Sequence, residues 1–222
     1  MPIETQPHES SPRWQRRKET RPAELIESAF EEFVTRGFAA TRLEDIAKRA
    51  GCTKGTIFLY FPSKEELFKE MVRQVMLPYL AEAEQVVEHH QGTMRDLLAD
   101  LLRRRFERMM NSKLSGVLKL VFAEVGHFPD IARFYHDEII SRSHRMISSV
   151  LQRGVELGEF RAHDTANVAR MAVAPLMLAA LWRHTFAPHT DQAIDPNAYF
   201  EASLEVLLRG IASDPAAGDS HV

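Results

Sequence analysis

Apolar residues recur along most of this chain with the spacing of α-helices. Leu43, Ile46, Ala47 and Ala50 occupy positions i, i+3, i+4 and i+7, which places them on one face of a short helix. The same spacing returns in longer segments up to about residue 211, and no segment alternates polar and apolar residues over the length of a strand. The pattern therefore predicts an all-α fold.

The first three predicted helices are suited to form a small domain. The first is a support helix with one apolar face, made of Leu25, Ile26, Ala29, Phe30, Phe33 and Val34. Thr41 and Glu44 predict a capping box at the start of the second helix, and Gly51 predicts its end. A third helix is expected at 53–60. Two short helices joined by a glycine turn are typical of a helix-turn-helix.

The third helix has a polar beginning and an aromatic end. Its first residues are small or basic and suit contact with base edges in a major groove, whereas its aromatic residues suit anchoring. Ser63 and Glu66 then predict a second capping box, at the start of a longer helix. The N-terminal amides of that helix, together with Lys64, form a candidate phosphate site.

A set of short motifs runs in order through residues 21–68. It consists of Arg36-Gly37-Phe38, Thr41, Asp45-Ile46-Ala47, Ala50-Gly51, Lys54-Gly55-Thr56, Tyr60-Phe61 and Lys64-Glu65-Glu66-Leu67. This set resembles the N-terminal domain of the TetR/AcrR family of bacterial transcription regulators. Two positions depart from the family pattern: Cys52 stands where valine is common, and Phe58 where tyrosine is common. Because phenylalanine has no hydroxyl, no phosphate contact is carried over to position 58.

The motif and the resemblance together predict the residues that contact DNA. We expect base contacts from the start of the third helix, at Thr53, Lys54 and Thr56. Gly55 is expected to let the backbone approach the DNA closely. Phosphate contacts are expected from Thr41, Tyr60 and Lys64.

The distribution of charge is compatible with DNA binding although the whole chain is acidic. The net charge is −3, but residues 13–64 hold 11 Lys and Arg against 7 Asp and Glu. Basic residues are therefore concentrated where the motif lies, which suits contact with phosphates. The first residues include a basic run from Arg13 to Arg21, which is either a solvated arm or an arm that contacts DNA.

Composition, turn residues and the resemblance together predict four regions, and the roles of the third are what the resemblance implies. These are a disordered basic arm at 1–20, a helix-turn-helix domain at 21–66, a ligand-binding and dimerisation domain at 67–211, and a flexible tail at 212–222. Pro78 lies inside the helix that follows Ser63 and predicts a kink or a break, which is either a hinge or only a structural feature. The thiol of Cys52 is either redox-sensitive or a small buried group.

The resemblance implies a pocket for a small molecule between the middle helices. Its candidate lining residues are Arg105, Phe106, Met109, Phe122, Phe134, His144, Trp182 and Phe186. Each is also explained as an ordinary core residue, and His144 as a core histidine bonded to a neighbour. If these residues form a pocket, a lipophilic ligand fits it better than a highly charged one.

Residues 171–182 form an uncharged segment that is apolar all round. Twelve residues are too few to span a bilayer, so one face is expected to meet the core and the other a second subunit. A last helix follows the cap Asp195 and also carries excess apolar surface. The resemblance implies that these two helices form the homodimer interface, with the candidates Ala169, Val173, Leu176, Met177, Ala180, Phe200, Leu204, Leu207 and Leu208.

Catalytic chemistry is not visible in the sequence. No nucleophile elbow, zinc-protease motif, phosphate-binding glycine loop or cysteine pair is present, so we expect no enzyme activity, cofactor or metal. One cysteine and the lack of a signal-like segment indicate a cytoplasmic protein. The expected function is a dimeric, ligand-responsive repressor that binds a palindromic operator. The alternatives are an all-α enzyme or small-molecule carrier, and an adaptor for a foreign partner.

Overall fold

A computed structural model describes residues 13–191 and 194–213 of the chain, with side chains from residue 20 onward. The described residues are helical apart from short connections and one isolated β-bridge between Phe160 and Ala212, so the all-α prediction is confirmed. The helices are α1 (Arg13–Arg36), α2 (Leu43–Arg49), α3 (Lys54–Phe58), α4 (Lys64–His89), α5 (Met94–Asn111), α6 (Leu114–Glu124), α7 (Pro129–Tyr135), α8 (Ser141–Glu156), α9 (Thr165–Thr185) and α10 (Pro196–Ile211).

The chain divides into two compact units after Met71, a few residues beyond the boundary that the sequence suggests. The N-terminal unit is built around three phenylalanine rings. Phe33 lies 5.5 Å from both Phe38 and Phe68, and Phe38 and Phe68 are 5.1 Å apart. All three side chains are fully buried, so they join α1, the α1–α2 connection and α4 into one core.

Glycines end the first two helices in left-handed conformations. Gly37 has φ 81° and Gly51 has φ 61°, values that side chains with a Cβ rarely adopt. After Gly51, the backbone N–H of Cys52 donates to the carbonyl of Ala47 at 2.9 Å, which satisfies one of the free carbonyls at the end of α2. The Cys52 side chain is half-buried. The glycine turn of the predicted helix-turn-helix is therefore present.

Helix α1 begins earlier than the sequence predicts. It starts at Arg13, so the expected disorder is wrong for residues 13–20. The reason is composition, because arginine, glutamine, lysine and glutamate favour helix even without an apolar stripe. The remainder of the predicted arm, 1–12, and most of the predicted tail, 214–222, lie outside the described residues.

The C-terminal unit has α9 at its centre, where it packs against α5, α6, α8 and α10. Side-chain caps begin three helices: Thr93 accepts from the N–H of Asp96 at 3.0 Å, Asp164 from Asn167 at 3.0 Å, and Asp195 from Asn197 at 2.9 Å. Helix α4 runs through Pro78 without ending, so of the two predicted alternatives, a kink or a break, the break is wrong.

A π-helical turn over His136–Ile140 joins α7 to α8 and was not expected from the sequence. Ile139 of this turn is buried, whereas Glu138 is partly exposed and binds Arg73 of α4. The pair is bidentate, with Arg73 Nε and Nη2 each 2.8 Å from a carboxylate oxygen of Glu138. The turn is therefore fixed to α4 by a geometrically specific ion pair.

Helix α9 is long and apolar enough, by length and composition, to cross a membrane, whereas the expectation from the sequence concerned only its central twelve residues. One face is buried against the neighbouring helices through Ala169, Ala172, Val173, Leu176, Ala179 and Ala180. A helix that is buried against several neighbouring helices is typical of a protein core. Such a core helix can be as long and as apolar as a membrane span.

Gly154 of α8 is predicted to be intolerant of a side chain. A Cβ at this position would overlap the ring of Phe160, which is itself buried and unable to move aside. We expect Gly154→Ala to lower the free energy of unfolding by about 1–3 kcal/mol, because overpacking outweighs the better helix propensity of alanine. Thermal and urea unfolding measure this change. Gly210→Ala in α10 is the matched control, since a Cβ added there would meet no atom within 4 Å, and equal stability of the two variants would contradict the prediction.

Candidate DNA interface and effector cavity

Helix α3 is a short helix that is anchored by one residue. Ile57 is fully buried, whereas Thr53, Lys54 and Gly55 at the beginning are exposed. Thr53 is the N-cap residue, and its Oγ1 accepts from the N–H of Thr56 at 3.3 Å. The sequence predicted a helix from 53 to 60, but the last turn is lost because Leu59 already caps the helix. The polar end of α3 is thus presented to solvent.

Lys54 is paired within its own chain. Its Nζ donates to Glu44 Oε1 of α2 at 2.8 Å, and this hydrogen bond is the main reason that the pKa of Glu44 is lowered from its ordinary value. The same ammonium lies 5.7 Å from the centre of the Phe58 ring. Lys54 is therefore already positioned on the exposed side of α3, held by an exposed carboxylate.

Gly55 has space for a side chain in the protein itself. An added Cβ would lie 3.7 Å from Thr53 Oγ1, which is an ordinary contact distance, and the φ of Gly55 is not positive. The fold therefore does not require glycine at this position. This is compatible with the expected close approach of another molecule to the α3 backbone.

Thr41 is not available to phosphate, contrary to the prediction. Its side chain is 1% exposed, and its hydroxyl lies 2.7 Å from the carbonyl oxygen of Gly37 and 3.1 Å from that of Glu32. The predicted capping box is also wrong, because the N-cap of α2 is Arg42, which makes no side-chain cap bond. The hydroxyl instead satisfies carbonyls at the end of α1, a use that the sequence does not distinguish from capping.

Lys64 is likewise committed to the protein's own backbone. Its Nζ lies 2.8 Å from the carbonyl oxygen of Phe38, 3.4 Å from that of Ala39 and 3.0 Å from that of Thr41. The ammonium also lies 4.4 Å from the centre of the Phe38 ring. Its three donors are directed at the α1–α2 connection, so the expected phosphate contact of this side chain is replaced by a structural role.

The surface beside α3 includes residues that the sequence did not select. Leu59 is 80% exposed and Phe58 is 47% exposed, which is unusual for side chains of this size. Arg42 at the start of α2 is also exposed. Tyr60, which was expected to contact phosphate, is half-buried next to Phe61. The exposure of Leu59 was not found from the sequence because residues 57–61 are all apolar or aromatic and indicate no exposed face.

The C-terminal unit contains a cavity of about 110 Å³. Seven of its lining residues are apolar: Met76, Met109, Leu118, Ile139, Ile140, Val173 and Met177. The others carry polar atoms: Arg105, Tyr135, Ser143 and His144. Among the predicted pocket residues, Arg105, Met109 and His144 therefore lie together at the cavity.

The other predicted pocket residues do not line this cavity. Phe106 is stacked on Phe200 with ring centres 4.3 Å apart, and Phe134 lies beneath the guanidinium of Arg73. Phe122 and Phe186 are exposed, and Trp182 contacts Phe186 at 4.9 Å between ring centres. Membership of an apolar stripe did not reveal which side of a helix borders empty space.

The polar groups of the cavity differ in charge. Arg105 donates from Nη1 to Ser143 Oγ at 2.5 Å, and its Nε is buried without a hydrogen-bond partner among the described residues. Burial raises the pKa of the Tyr135 hydroxyl to about 12 and lowers the pKa of His144 below its ordinary value, with Arg170 and Arg105 adding to the second effect. At neutral pH the cavity therefore carries the single positive charge of Arg105.

The predicted dimer residues are mostly in the core of their own chain. Seven of them are buried without any second subunit: Ala169, Val173, Leu176, Ala180, Phe200, Leu204 and Leu208. Met177 lines the cavity, and Leu207 is partly buried. The exposed apolar side chains of the same helices are Met171 and Leu178 of α9 and Val206 of α10, at 63%, 48% and 73% exposure. Both helices are present, but most of the side chains predicted for the interface are buried within their own chain.

These features define a class of protein: an all-α molecule with a helix-turn-helix unit and a helical body that encloses a small cavity. Residues 25–71 match the model of bacterial regulatory proteins of the tetR family, and residues 88–196 match that of the tetracyclin repressor-like C-terminal domain. The two matches cover both units and together exceed half of the chain. The chain belongs to the TetR family of bacterial regulatory proteins.

Similar proteins extend over nearly the full length. The fatty acid metabolism regulator protein of Bacillus subtilis is 23% identical over 87% of this chain and 98% of its own. The transcriptional repressor KstR2 of Mycobacterium tuberculosis is 27% identical over 88% of this chain and 94% of its own. The solved structure of FadR from Bacillus subtilis with stearoyl-CoA has a TM-score of 0.70 and 23% identity, over 85% of this chain and 98% of that structure.

Lys64→Met is predicted to destabilise the N-terminal unit. It removes the hydrogen bonds that Lys64 donates to three backbone carbonyls, and we expect the free energy of unfolding to fall by about 1–3 kcal/mol. Circular dichroism during thermal and urea unfolding measures the effect. Lys48→Met, which removes an exposed lysine from α2, is the control and is expected to unfold like the parent. Parental stability of Lys64→Met together with weakened DNA binding would instead support the phosphate contact.

Proposed function

We propose that the protein is a cytoplasmic transcriptional repressor that binds a palindromic operator as a homodimer and is released from it by a small lipophilic ligand. The observation that carries this proposal is the exposed polar end of α3, anchored by Ile57 within a TetR-family N-terminal unit. Thr53, Lys54 and Thr56 are proposed to contact base edges. Tyr60 is proposed to contact phosphate, and Gly55 to admit the DNA backbone.

The homodimer is proposed to form through the exposed faces of α9 and α10. Met171, Ala174 and Leu178 follow one another at intervals of three and four residues, which makes a continuous exposed stripe on α9. Met171 also borders a shallow cleft between α9 and α10 together with Leu207, so the two helices offer one joint surface. Two copies of such a surface, related by a two-fold axis, bury each other's apolar side chains.

The two-fold axis would repeat the α3 surface once in each protomer. Recognition helices related in this way contact half-sites of opposite direction, so the operator is proposed to be an inverted repeat. The excess of basic over acidic residues in 13–64 supplies attraction to phosphates despite the net charge of −3.

Ligand control is proposed to act through α4. This helix begins at Lys64, and its Met76 lines the cavity. A ligand in the cavity would also contact Ile139 and Ile140 of the π-helical turn, which is bound to α4 through Glu138 and Arg73. A ligand changes operator affinity only if it binds one arrangement of α4 more tightly than another. The apolar lining supports a lipophilic ligand, as do the FadR structure with stearoyl-CoA and the description of KstR2 as a ketosteroid transcriptional regulator.

We expect selection from random duplex DNA to enrich an inverted repeat, whose affinity falls steeply as salt increases. For the enriched duplex, Gly55→Ala is expected to weaken binding by at least about tenfold, because a methyl group would separate the α3 backbone from the DNA. The folded protein tolerates this methyl group, so its thermal stability should stay equal or rise. Fluorescence anisotropy over a salt series measures the affinities of the parent protein and of Gly55→Ala for the enriched duplex.

Gly210→Ala supplies the control for the selection experiment, since it adds the same methyl group far from α3 in sequence. Unchanged affinity of Gly55→Ala would show that the α3 backbone does not approach DNA. If no sequence is enriched by a folded dimer, the operator-binding proposal fails and the cavity points to a carrier or an enzyme. Ligand control fails if no compound that binds the free protein alters its affinity for the enriched duplex.

Leu178→Glu is predicted to convert the homodimer to a monomer. Leu178 is 48% exposed at the C-terminal end of the α9 stripe, where two copies would bring two carboxylates into an apolar contact. Size-exclusion chromatography with light scattering gives the mass of each variant at several concentrations. Leu157→Glu, at a leucine that is 58% exposed beyond the end of α8, is expected to remain dimeric. A dimeric Leu178→Glu protein would exclude this face as the interface.

A further inference from the structure

Arg105 differs from the other arginines of its helix. Arg103, Arg104 and Arg108 of α5 are paired with Glu201, Asp100 and Glu82. Arg105 has no carboxylate partner among the described residues, and its one direct side-chain hydrogen bond of known length is to the neutral hydroxyl of Ser143. The exposed arginines are thus neutralised, while the arginine that borders the cavity is not.

The Arg105 guanidinium also has unused hydrogen-bonding capacity. Its Nε is buried and has no partner among the described residues, so one donor is removed from water without compensation. A guanidinium presents its donors in a planar fork that matches the two oxygens of a carboxylate. Tyr79 is a further neighbour, since its hydroxyl interacts with Arg105 and its ring centre lies 5.9 Å from the guanidinium carbon, but one neutral hydroxyl does not supply the two oxygens of a carboxylate.

The rest of the cavity does not neutralise this charge. The described lining residues include no aspartate or glutamate, and the polar side chains among them besides Arg105 are Tyr135, Ser143 and His144. Burial lowers the pKa of His144, and the positive charges of Arg170, Arg105 and His136 add to this effect, so a second positive charge on its ring is disfavoured. The cavity is therefore apolar except at one end, where a lone cation and two hydroxyls meet.

We propose that this cavity binds a small apolar molecule that carries one carboxylate, and that the carboxylate forms an ion pair with Arg105. The apolar part would lie against Met109, Leu118, Val173 and Met177. This inference rests on the proposed function in one respect: it names the chemical class of the effector proposed there. The volume of about 110 Å³ suits a short chain or a single ring.

The test compares three probes that share an eight-carbon chain: octanoate, 1-octanol and octylamine. Isothermal titration calorimetry of the full-length protein at neutral pH, without DNA, gives each affinity. Octanoate is expected to bind roughly 10- to 100-fold more tightly than 1-octanol, the range of a charge-assisted hydrogen-bonded pair, and octylamine most weakly. Equal or tighter binding of 1-octanol or octylamine, or no binding of octanoate, overturns the proposal.

Arg105→Met tests the assignment to this residue. It keeps an apolar stem and removes the charge, so the preference for octanoate should disappear while 1-octanol still binds. Arg104→Met, which removes a neighbouring exposed arginine paired with Asp100, should keep the preference. Ser143→Ala removes the neutral hydrogen-bond partner of Arg105, so the preference for octanoate over 1-octanol should stay the same or increase. This variant serves as a second test if Arg105→Met does not fold. Retained preference in Arg105→Met, or lost preference in Ser143→Ala, overturns the assignment.

A second measurement separates this inference from the proposed function. Octanoate is added to the complex of the protein with its enriched duplex. Release of the duplex by octanoate, but not by 1-octanol, supports both proposals. Tight binding of octanoate without release leaves the ligand class correct and contradicts ligand control of DNA binding.

Discussion

The N-terminal unit depends on the ammonium group of Lys64. Its side chain donates to three carbonyl oxygens of the connection between α1 and α2, those of Phe38, Ala39 and Thr41. A loop with unsatisfied carbonyls is costly to bury. By satisfying them from the first turn of α4, Lys64 fixes the connection beside the Phe38 ring, and the positions of α2 and α3 depend on that connection.

The helix-turn-helix could be predicted from the sequence because its determinants are local. Gly51 and the apolar stripe of α2 specify a helix end and a buried face over a few residues, and both were found as predicted. The roles of Thr41 and Lys64 could not be predicted in the same way. A threonine hydroxyl can cap a following helix or donate to an earlier carbonyl, and a lysine can bind phosphate or backbone oxygen. Which of these occurs depends on residues that are brought near only by the fold.

The body shows the same limit on a larger scale. A helix that is apolar on all sides, like the middle of α9, has no polar face to indicate which side is buried. The sequence therefore predicted two helices rich in apolar surface, α9 and α10, but not that Leu176 and Leu204 are buried in their own chain while Met171 and Val206 are exposed. Likewise, Arg105 and His144 stood out as polar residues among apolar ones. The aromatic candidates did not, because an aromatic residue in a helix looks the same in the sequence whether it packs in the core or lines a cavity.

If Lys54 contacts DNA as proposed, its pairing with Glu44 makes that contact a competition within the protein. Any base edge or phosphate that binds Lys54 must take the place of a carboxylate that is already 2.8 Å away. The displaced Glu44 would then lie near the negatively charged DNA, so a weak contact is not sufficient to maintain the exchange. An internal competitor of this kind penalises every sequence equally, and only those that offer Lys54 a well-placed acceptor recover the loss.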